Sequence, residues 1–403
     1  MWKLDDRGPR LGLRLGKPGP RRTAIRLTAS LIVRDEEHFL PGCLDSVAPI
    51  VDEIVVVDTG STDRTPSIAR EHGARVVDFP WQGDFAAARN VGLAEARSPW
   101  ILYIDADERV RPCAPEVLEE LEARTDCCCL TVRFHPRVGA TAYREYRLLR
   151  NHPDIRFAGV IHETVVPSLR AMERKGWKIE KSDLTIDHLG YEGDQRRKHE
   201  RNLPLLEEGV KRDPDRMYNW WHLGSVYLAL GRERAAEKAW RHAVELVRAK
   251  NDPGAVDTLP YTELLRLSIR RDDDFSSLLA EARARFPWCW SFAWLEAAKR
   301  SADGDHEKAA ELYAQMAAVD PDAIVDEGLS YDEAIFGRFA LEGVATSLFR
   351  LGRYAESADA YERALALDPA NNGYMAKLAL ARARASAIPA DEPARLQSRV
   401  AEP

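Results

Sequence analysis

Two aspartates separated by one residue follow a strongly apolar segment of the sequence. Residues 100–104, WILYI, have strong strand preference, and Asp105 and Asp107 come directly after them. In an open α/β sheet, ligands bind beyond the carboxyl ends of the strands, and side chains two residues apart can face one point. Such oxygen ligands suit Mg²⁺ or Mn²⁺, which shares its shell between one or two carboxylates and a substrate diphosphate. The pair predicts a divalent-cation site, although an isolated Asp-x-Asp more often belongs to a solvated acidic loop.

Strand and helix patterns alternate in the residues that lead up to this pair. Strands are predicted at 27–33, 53–57, 74–79 and 100–104, with helical patterns between them. Such β–α units with continuous apolar strands indicate a Rossmann-like α/β fold, in which a mostly parallel sheet is covered on both faces. Asp58 ends the second strand, so its carboxylate is expected at the same sheet edge as Asp105.

Helical patterns alone remain after about residue 196, and they repeat. Glycine, alanine and proline recur at the spacing of a 34-residue helix-turn-helix unit. The clear copies span 220–243, 297–321 and 344–369, and a degenerate copy spans 261–287. We therefore predict an all-α solenoid of four tetratricopeptide-like repeats with a capping helix at 372–387.

The composition narrows the class of protein. The chain has 403 residues, 45% of them hydrophobic and 31% charged, and its net charge of -7 does not suggest a nucleic-acid binder. No apolar run approaches the roughly 18 residues of a membrane span, and the N-terminus lacks the apolar core of a signal peptide. We expect a cytoplasmic protein without a transmembrane segment. The run Cys127–Cys129 matches neither disulfide nor zinc spacing and is interpreted as small buried residues of a strand.

The chain divides into four predicted segments. Residues 1–25 form a basic, glycine- and proline-rich leader that is expected to be disordered, although it could also touch a membrane surface or an anionic substrate. The α/β domain spans 26–195, the repeats with their capping helix span 196–387, and a flexible tail spans 388–403.

Four motifs of the first half, taken together, resemble family 2 glycosyltransferases of the GT-A fold. They are LTASLIVRDEE at 27–37, DTGSTD at 58–63, DFAAARN at 84–90 and IDADE at 104–108. Three shorter segments are RNH at 150–152, IHE at 161–163 and HLGY at 188–191. With these the chain looks most like the bacterial branch that joins a GT-A domain to tetratricopeptide repeats, which includes lipopolysaccharide-core glucosyltransferases and peptide S-glycosyltransferases. The resemblance implies inverting transfer of a sugar from a nucleotide donor, expected to be a UDP-sugar, to a peptide, protein or glycan acceptor.

The same resemblance assigns a nucleotide site. Asp58 would hold the nucleobase or ribose, and Arg89 would bind the base or diphosphate as a planar fork. Val33 and Glu36, at the end of the first strand, would line the base pocket. Thr59 stands where many relatives have a second carboxylate, so the identity of the base stays open.

The cation, Mn²⁺ or Mg²⁺, is assigned to three residues. The resemblance implies that Asp107 contacts the metal directly and that Asp105 makes a ribose or bridging contact. His188 would be a third ligand of the metal or diphosphate through its neutral imidazole, and a structural histidine is the alternative. The metal would neutralise charge on the departing nucleoside diphosphate.

An inverting transfer also needs a general base for the acceptor proton. Glu163 is the first candidate, with a structural salt bridge as its alternative role, and Asp187 and Asp154 are the others.

Two other functions compete with an active glycosyltransferase. In the first, the α/β domain is catalytically inactive and the protein is an interaction scaffold. In the second, the chain is a nucleotidyltransferase, but residues 33–36, VRDE, occupy the place of the glycine-rich phosphate loop that such an enzyme needs. The repeats could dock a peptide acceptor or mediate homo-oligomerisation.

Overall fold

A computed structural model describes residues 26–113, 119, 121, 123–190 and 195–387. The predicted leader at 1–25 and tail at 388–403 lie outside these residues. The strands are β1 (Leu27–Val33), β2 (Glu53–Asp58), β3 (Arg75–Asp78), β4 (Trp100–Tyr103), β5 (Glu108–Val110), β6 (Cys127–His135), β7 (Tyr143–Arg150), β8 (Lys178–His188) and β9 (Asp326–Glu327). The helices of the α/β part are α1 (Leu40–Val47), α2 (Thr65–Glu71), α3 (Phe85–Glu95) and α4 (Val166–Arg174).

Ten α-helices of the described chain follow residue 194, and most of them pack against the next helix in the chain. They are α5 (Gln195–Arg212), α6 (Met217–Ala229), α7 (Glu233–Arg248), α8 (Leu259–Arg271), α9 (Ser276–Arg285), α10 (Trp290–Ala302), α11 (His306–Ala317), α12 (Arg338–Arg350), α13 (Tyr354–Leu367) and α14 (Asn372–Ser386). The pairs α6–α7, α8–α9, α10–α11 and α12–α13 correspond to the four predicted repeats, and α14 covers the last of them. Among the described residues, no helix is both long and apolar enough to cross a membrane.

One sheet runs through the α/β part in the order β3-β2-β1-β4-β7-β6-β8-β5. The first four strands in this order are parallel. β1, β2 and β4 are almost entirely buried, as their largely apolar sequences predict, whereas the edge strand β3 is only partly buried. β7 then joins β4 in antiparallel orientation, and β6, β8 and β5 complete a mixed half. The carboxyl ends of β1, β2 and β4 therefore meet at one edge, where a ligand is expected.

Two of the short segments that carry the resemblance have defined local structure. HLGY at 188–191 begins at the last residue of the long strand β8, and IHE at 161–163 lies in a loop. In this loop, Gly159 at φ +103° and His162 at φ +50° interrupt the extended backbone, although the two residues between them are apolar. The three consecutive cysteines lie fully buried and reduced in β6, in agreement with their interpretation as core residues.

A loop of the repeats extends the sheet. Between α11 and α12 the short strand β9 pairs in parallel with the first residues of β7. Next to it, the backbone N–H of Thr141 donates to the carbonyl of Tyr331 at 2.9 Å, and the N–H of Tyr331 donates to the Thr141 hydroxyl at 3.0 Å. The sheet and the repeats are thus joined by backbone pairing as well as by the chain at α5.

Close helix packing in the first repeat depends on Gly224. A Cβ built on Gly224 would lie 2.3 Å from Nε1 of Trp240, a side chain that is fully buried. The Trp240 ring cannot easily move, because its Nε1–H donates a 3.0 Å hydrogen bond to the carbonyl of Trp221. Glycine is therefore needed at this helix contact, where it would otherwise weaken the helix.

We expect Gly224→Ala to lower the free energy of unfolding by about 1–3 kcal/mol, because the added methyl group overpacks the contact between α6 and α7. Gly209→Ala is the matched control, since the nearest atom to its new Cβ would be 3.7 Å away. That control should be neutral or stabilising by up to about 1 kcal/mol. Urea unfolding followed by circular dichroism measures both; equal stabilities of the two variants would contradict the packing argument.

Candidate active site

An open cleft of about 960 Å³ lies where β1 and β4 end. The predicted site residues that line it are Val33, Glu36, Arg89, Asp105, Asp107, Glu163 and His188. They come from six places in the chain: the end of β1, the turn after β1, α3, the turn after β4, the loop before α4 and the end of β8. The fold therefore brings most of the predicted residues together at the expected sheet edge.

Arg89 joins two of these carboxylates. Its Nη2 donates to Asp105 at 2.8 Å and its Nε donates to Glu163 at 2.5 Å. The guanidinium also lies 5.0 Å from the centre of the Tyr103 ring. Burial lowers the pKa of Arg89, but the two carboxylates outweigh it and the pKa lies above its ordinary value. Arg89 is thus a fixed positive charge that orients Asp105 and Glu163 towards the cleft.

The two aspartates after β4 have different surroundings. Burial raises the pKa of Asp105, yet Arg89 and Arg147 outweigh burial, so the pKa is lowered and the carboxylate stays ionised. Asp107 instead accepts a 3.0 Å hydrogen bond from Nε2 of His188, and the Nδ1 of that histidine bonds to the Pro136 carbonyl at 3.0 Å. Asp105 is therefore an ionised carboxylate that Arg89 holds in place. Asp107 instead has a hydrogen bond to His188 that a bound ligand could replace.

A third carboxylate adds to the negative charge of the cleft. Burial is the largest cause that raises the pKa of Glu36 to about 7, and the charges of Asp107 and Asp105 add to it. Because these carboxylates are close enough to raise the pKa of Glu36, they destabilise one another unless a cation or a proton is present. The region between these three side chains is thus suited to positive charge.

Asp107 and His188 can hold a divalent cation together with a substrate. Among the described residues, no group of three or more His, Cys, Asp or Glu side chains is arranged to hold a metal by itself. The Asp107 and His188 side chains are, however, 24% and 32% exposed, and both face the cleft. Mg²⁺ and Mn²⁺ commonly take one or two protein ligands and complete the shell with phosphate oxygens and water. Asp107 and His188 could therefore supply the protein ligands of such a metal ion.

The state of His188 depends on its partner. The hydrogen bond to Asp107 is the main reason why the pKa of His188 rises to about 9, against the effect of burial. The ring therefore carries a proton on Nε2 at neutral pH when no metal is bound. A metal ion bound through Nε2 would take the place of that proton.

Asp58 lies beneath the cleft wall and does not line it. Its carboxylate is 7% exposed and accepts hydrogen bonds from the backbone N–H and the hydroxyl of Ser61. Thr59, which follows it, does line the cleft, and both its N–H and its hydroxyl donate to the carbonyl of Val33. Asp58 thus shapes the turn at the end of β2.

The three candidates for the general base occupy different places. Glu163 lines the cleft. Asp187 accepts a 2.7 Å hydrogen bond from Nε of Arg111, and Asp154 is bound to Lys175 at 2.6 Å; neither lines the cleft. Only Glu163 therefore has the location that its predicted role needs.

The loop that carries Glu163 is held by the first repeat. Nη2 of Arg216 donates to the carbonyl of His162 at 3.0 Å. The His162 ring stacks on His222 of α6, with 3.5 Å between ring centres. The backbone N–H of Phe85 donates to the Val160 carbonyl at 3.0 Å and holds the other side. The repeats thus contribute to the position of a cleft residue.

Several residues of the cleft were not predicted. Arg201 and Asn202, both on α5, lie in its lining together with Trp81 and Phe85. Residues 195–201 are strongly polar, so their sequence alone does not show that they reach the cleft. The buried face of α5, formed by Leu203, Leu206 and Val210, is the signal that would have shown which polar residues turn towards the domain.

Comparisons with known proteins agree with this architecture. Residues 30–178 match the family described as "Glycosyl transferase family 2", and residues 218–248 and 339–371 match tetratricopeptide repeats. A TPR repeat-containing protein of Synechococcus elongatus is 35% identical, over 64% of this chain and 65% of its own length. The SPbeta prophage-derived glycosyltransferase SunS of Bacillus subtilis is 25% identical, over 65% of this chain and 64% of SunS. The chain thus spans just under two thirds of these relatives.

A solved structure gives a weaker likeness. The S. aureus TarS 1-349 structure in complex with UDP-GlcNAc is 16% identical and is matched over 65% of this chain and 92% of TarS, with a TM-score of 0.37. Residues 30–178 are thus similar to glycosyl transferase family 2 domains, and two of the helix pairs that follow are similar to tetratricopeptide repeats.

Proposed function

We propose that the protein is a metal-dependent, inverting glycosyltransferase that moves a sugar from a nucleotide diphosphate, taken to be UDP, to a peptide, protein or glycan acceptor. One observation carries the proposal. Within a family 2 domain, Asp105 and Asp107 leave the end of β4 into one open cleft, Asp105 braced by Arg89 and Asp107 paired with His188. This arrangement supports binding of a nucleoside diphosphate through a cation, in the cytoplasm.

The nucleoside would bind where β1 and β2 end. Val33 and Glu36 lie at the cleft wall, and the Val33 carbonyl is held by Thr59. Asp58 would contact the ribose or base, with a ligand hydroxyl replacing the hydroxyl of Ser61 that it now binds. Arg89 would contribute through the carboxylates that it orients.

Asp107 and His188 would hold Mn²⁺ or Mg²⁺, with Asp105 making a bridging or ribose contact. When bound, such a cation acts as a Lewis acid that neutralises charge on the departing diphosphate. Asp105 keeps its negative charge at neutral pH because Arg89 is beside it.

Glu163 would act as the general base. The acceptor nucleophile forms a bond to the anomeric carbon while the bond from that carbon to the phosphate oxygen breaks, and its electron pair leaves with the nucleoside diphosphate. The acceptor proton passes to the Glu163 carboxylate. Because Arg89 already binds one oxygen of this carboxylate, the other oxygen, Oε2, is the one for the proton.

The repeats would dock the acceptor. Arg216 and His222 hold the loop of Glu163, so a peptide or glycan bound on the repeats would be near the base. Self-association through the repeats is the other use of the same surfaces.

We expect Asp107→Asn to reduce Mn²⁺-dependent hydrolysis of UDP-sugars by 100-fold or more, because a hard anionic ligand is replaced by a neutral amide of the same size. The control is Asp45→Asn on α1, whose side chain is 75% exposed and outside the cleft. Turnover is measured on a panel of nucleotide sugars with and without Mn²⁺. A folded Asp107→Asn protein that keeps near-normal turnover would refute the metal assignment, and an inactive wild-type protein would favour the scaffold.

We expect Glu163→Gln to lower kcat by roughly 10²-fold or more while leaving the KM for the donor unchanged. Glutamine keeps a carbonyl oxygen for Arg89 but cannot accept the proton. Glu173→Gln, which alters a surface pair with Arg170 on α4, is the control. Steady-state kinetics with a saturating acceptor separate the two parameters. If the only loss is in donor affinity, Glu163 is a donor-binding residue and the base lies elsewhere.

A further inference from the structure

The arginines of the cleft differ in how far nearby carboxylates neutralise their charge. Arg89 meets two carboxylates, as described above. Arg34, just after β1, lies 3.9 Å from Asp35. Arg201 reaches the cleft from α5, and within the described part of the chain it forms no ion pair. Its charge is therefore the one that the cleft leaves uncompensated.

Arg201 has a defined orientation nonetheless. Its Nε donates a 3.1 Å hydrogen bond to Oδ1 of Asn202, and its guanidinium carbon lies 6.0 Å from the centre of the Phe85 ring. The Asn202 side chain is 9% exposed and lines the same cleft. Because Nε is used by Asn202, the two terminal amino groups of Arg201 remain for a ligand. A guanidinium in this arrangement can donate two parallel hydrogen bonds to a pair of oxygens.

The surroundings of Arg201 are unfavourable for a cation. Arg201 is exposed at the mouth of the cleft, yet partial burial, as the larger cause, and the charge of Arg34 lower its pKa. Two guanidinium groups that repel one another at the mouth of a cleft are stabilised when an anion binds to them. In the same cleft, Glu36, Asp105 and Asp107 repel one another and favour a cation. The ligand that matches both regions is an anion that brings a divalent cation with it.

We propose that Arg201, positioned by Asn202, binds the diphosphate of the donor, and that helix α5 therefore belongs to the donor site. The inference rests on the proposed function and adds to it a phosphate contact from outside the family 2 match, which ends at residue 178. The cation side of the diphosphate faces Asp107, and Arg201 takes phosphate oxygens that the cation does not. The predicted division between residues 195 and 196 then falls within the first turn of a donor-binding helix.

Calorimetry with matched ligands tests this role. UDP and GDP are titrated in the presence of Mn²⁺, with uridine and guanosine as ligands that lack the phosphates. We expect Arg201→Ala to weaken binding of the preferred diphosphate by tenfold or more and to leave binding of its nucleoside unchanged. Arg201→Lys, which keeps the charge but not the planar fork, should fall between the variant and the wild type.

Arg212→Ala is the control from the same helix. Its guanidinium is exposed and pairs with Glu208 one turn away, outside the cleft. It removes the same charge and should bind UDP or GDP like the wild type. Circular dichroism confirms folding, and Arg201→Lys and Arg201→Gln replace Arg201→Ala if that variant does not fold.

The outcomes separate the two proposals. If the wild type binds a nucleoside diphosphate and the Arg201 variants bind it equally well, the role of Arg201 is wrong and the proposed function stands. An equal loss of nucleoside and diphosphate affinity also overturns the inference, because the contact would not be to phosphate. If the wild type binds no nucleoside diphosphate with Mn²⁺, the proposed function itself fails.

Discussion

Two buried guanidinium groups lie over the ring of Tyr103, and the geometry of the cleft depends on the ion pairs that they make. The guanidinium carbons of Arg89 and Arg147 are 5.0 and 4.6 Å from the ring centre. Arg147 and Glu108 are only 5% and 2% exposed, and they are joined by a 2.7 Å hydrogen bond. Glu108 in turn accepts a 2.9 Å hydrogen bond from the backbone N–H of Asp105. The turn after β4 is therefore held by charges that water does not reach.

Breaking the buried ion pair of Arg147 and Glu108 would lower the stability of the protein. Removing one partner of a buried ion pair typically destabilises a protein by about 3–5 kcal/mol, because the other charge is left buried and alone. Here the same loss would also release the turn that aims Asp105 and Asp107. Arg147 lies on β7, the antiparallel neighbour of β4. The mixed half of the sheet thus has a role in the site: it supplies the counter-charge behind the carboxylates.

Local patterns predicted the parts of the site that are local. β1, β2 and β4 have largely apolar sequences, and Asp105 and Asp107 come just after β4, so the place of these two residues at the sheet edge could be predicted from the sequence. Contacts between distant residues could not. Arg89 and Glu163 are separated by 74 residues, and nothing in either segment indicates their hydrogen bond. The position of Arg201 in the cleft could not be predicted either, because it depends on which face of α5 packs on the α/β domain. β9 was not predicted because it has only two residues and no strand pattern of its own.

The pairing of β9 with β7 also determines when the sheet can be completed as the chain is made. Thr141 and Tyr331, which bond to one another beside β9, are separated by 190 residues. At about 5–20 residues per second, a ribosome reaches the second of them roughly 10–40 s after the first. During that interval the start of β7 is an open strand edge, which other nascent chains can pair with. A chain that ends before β9 therefore keeps this short edge of β7 exposed, whereas the full chain covers it with its own backbone.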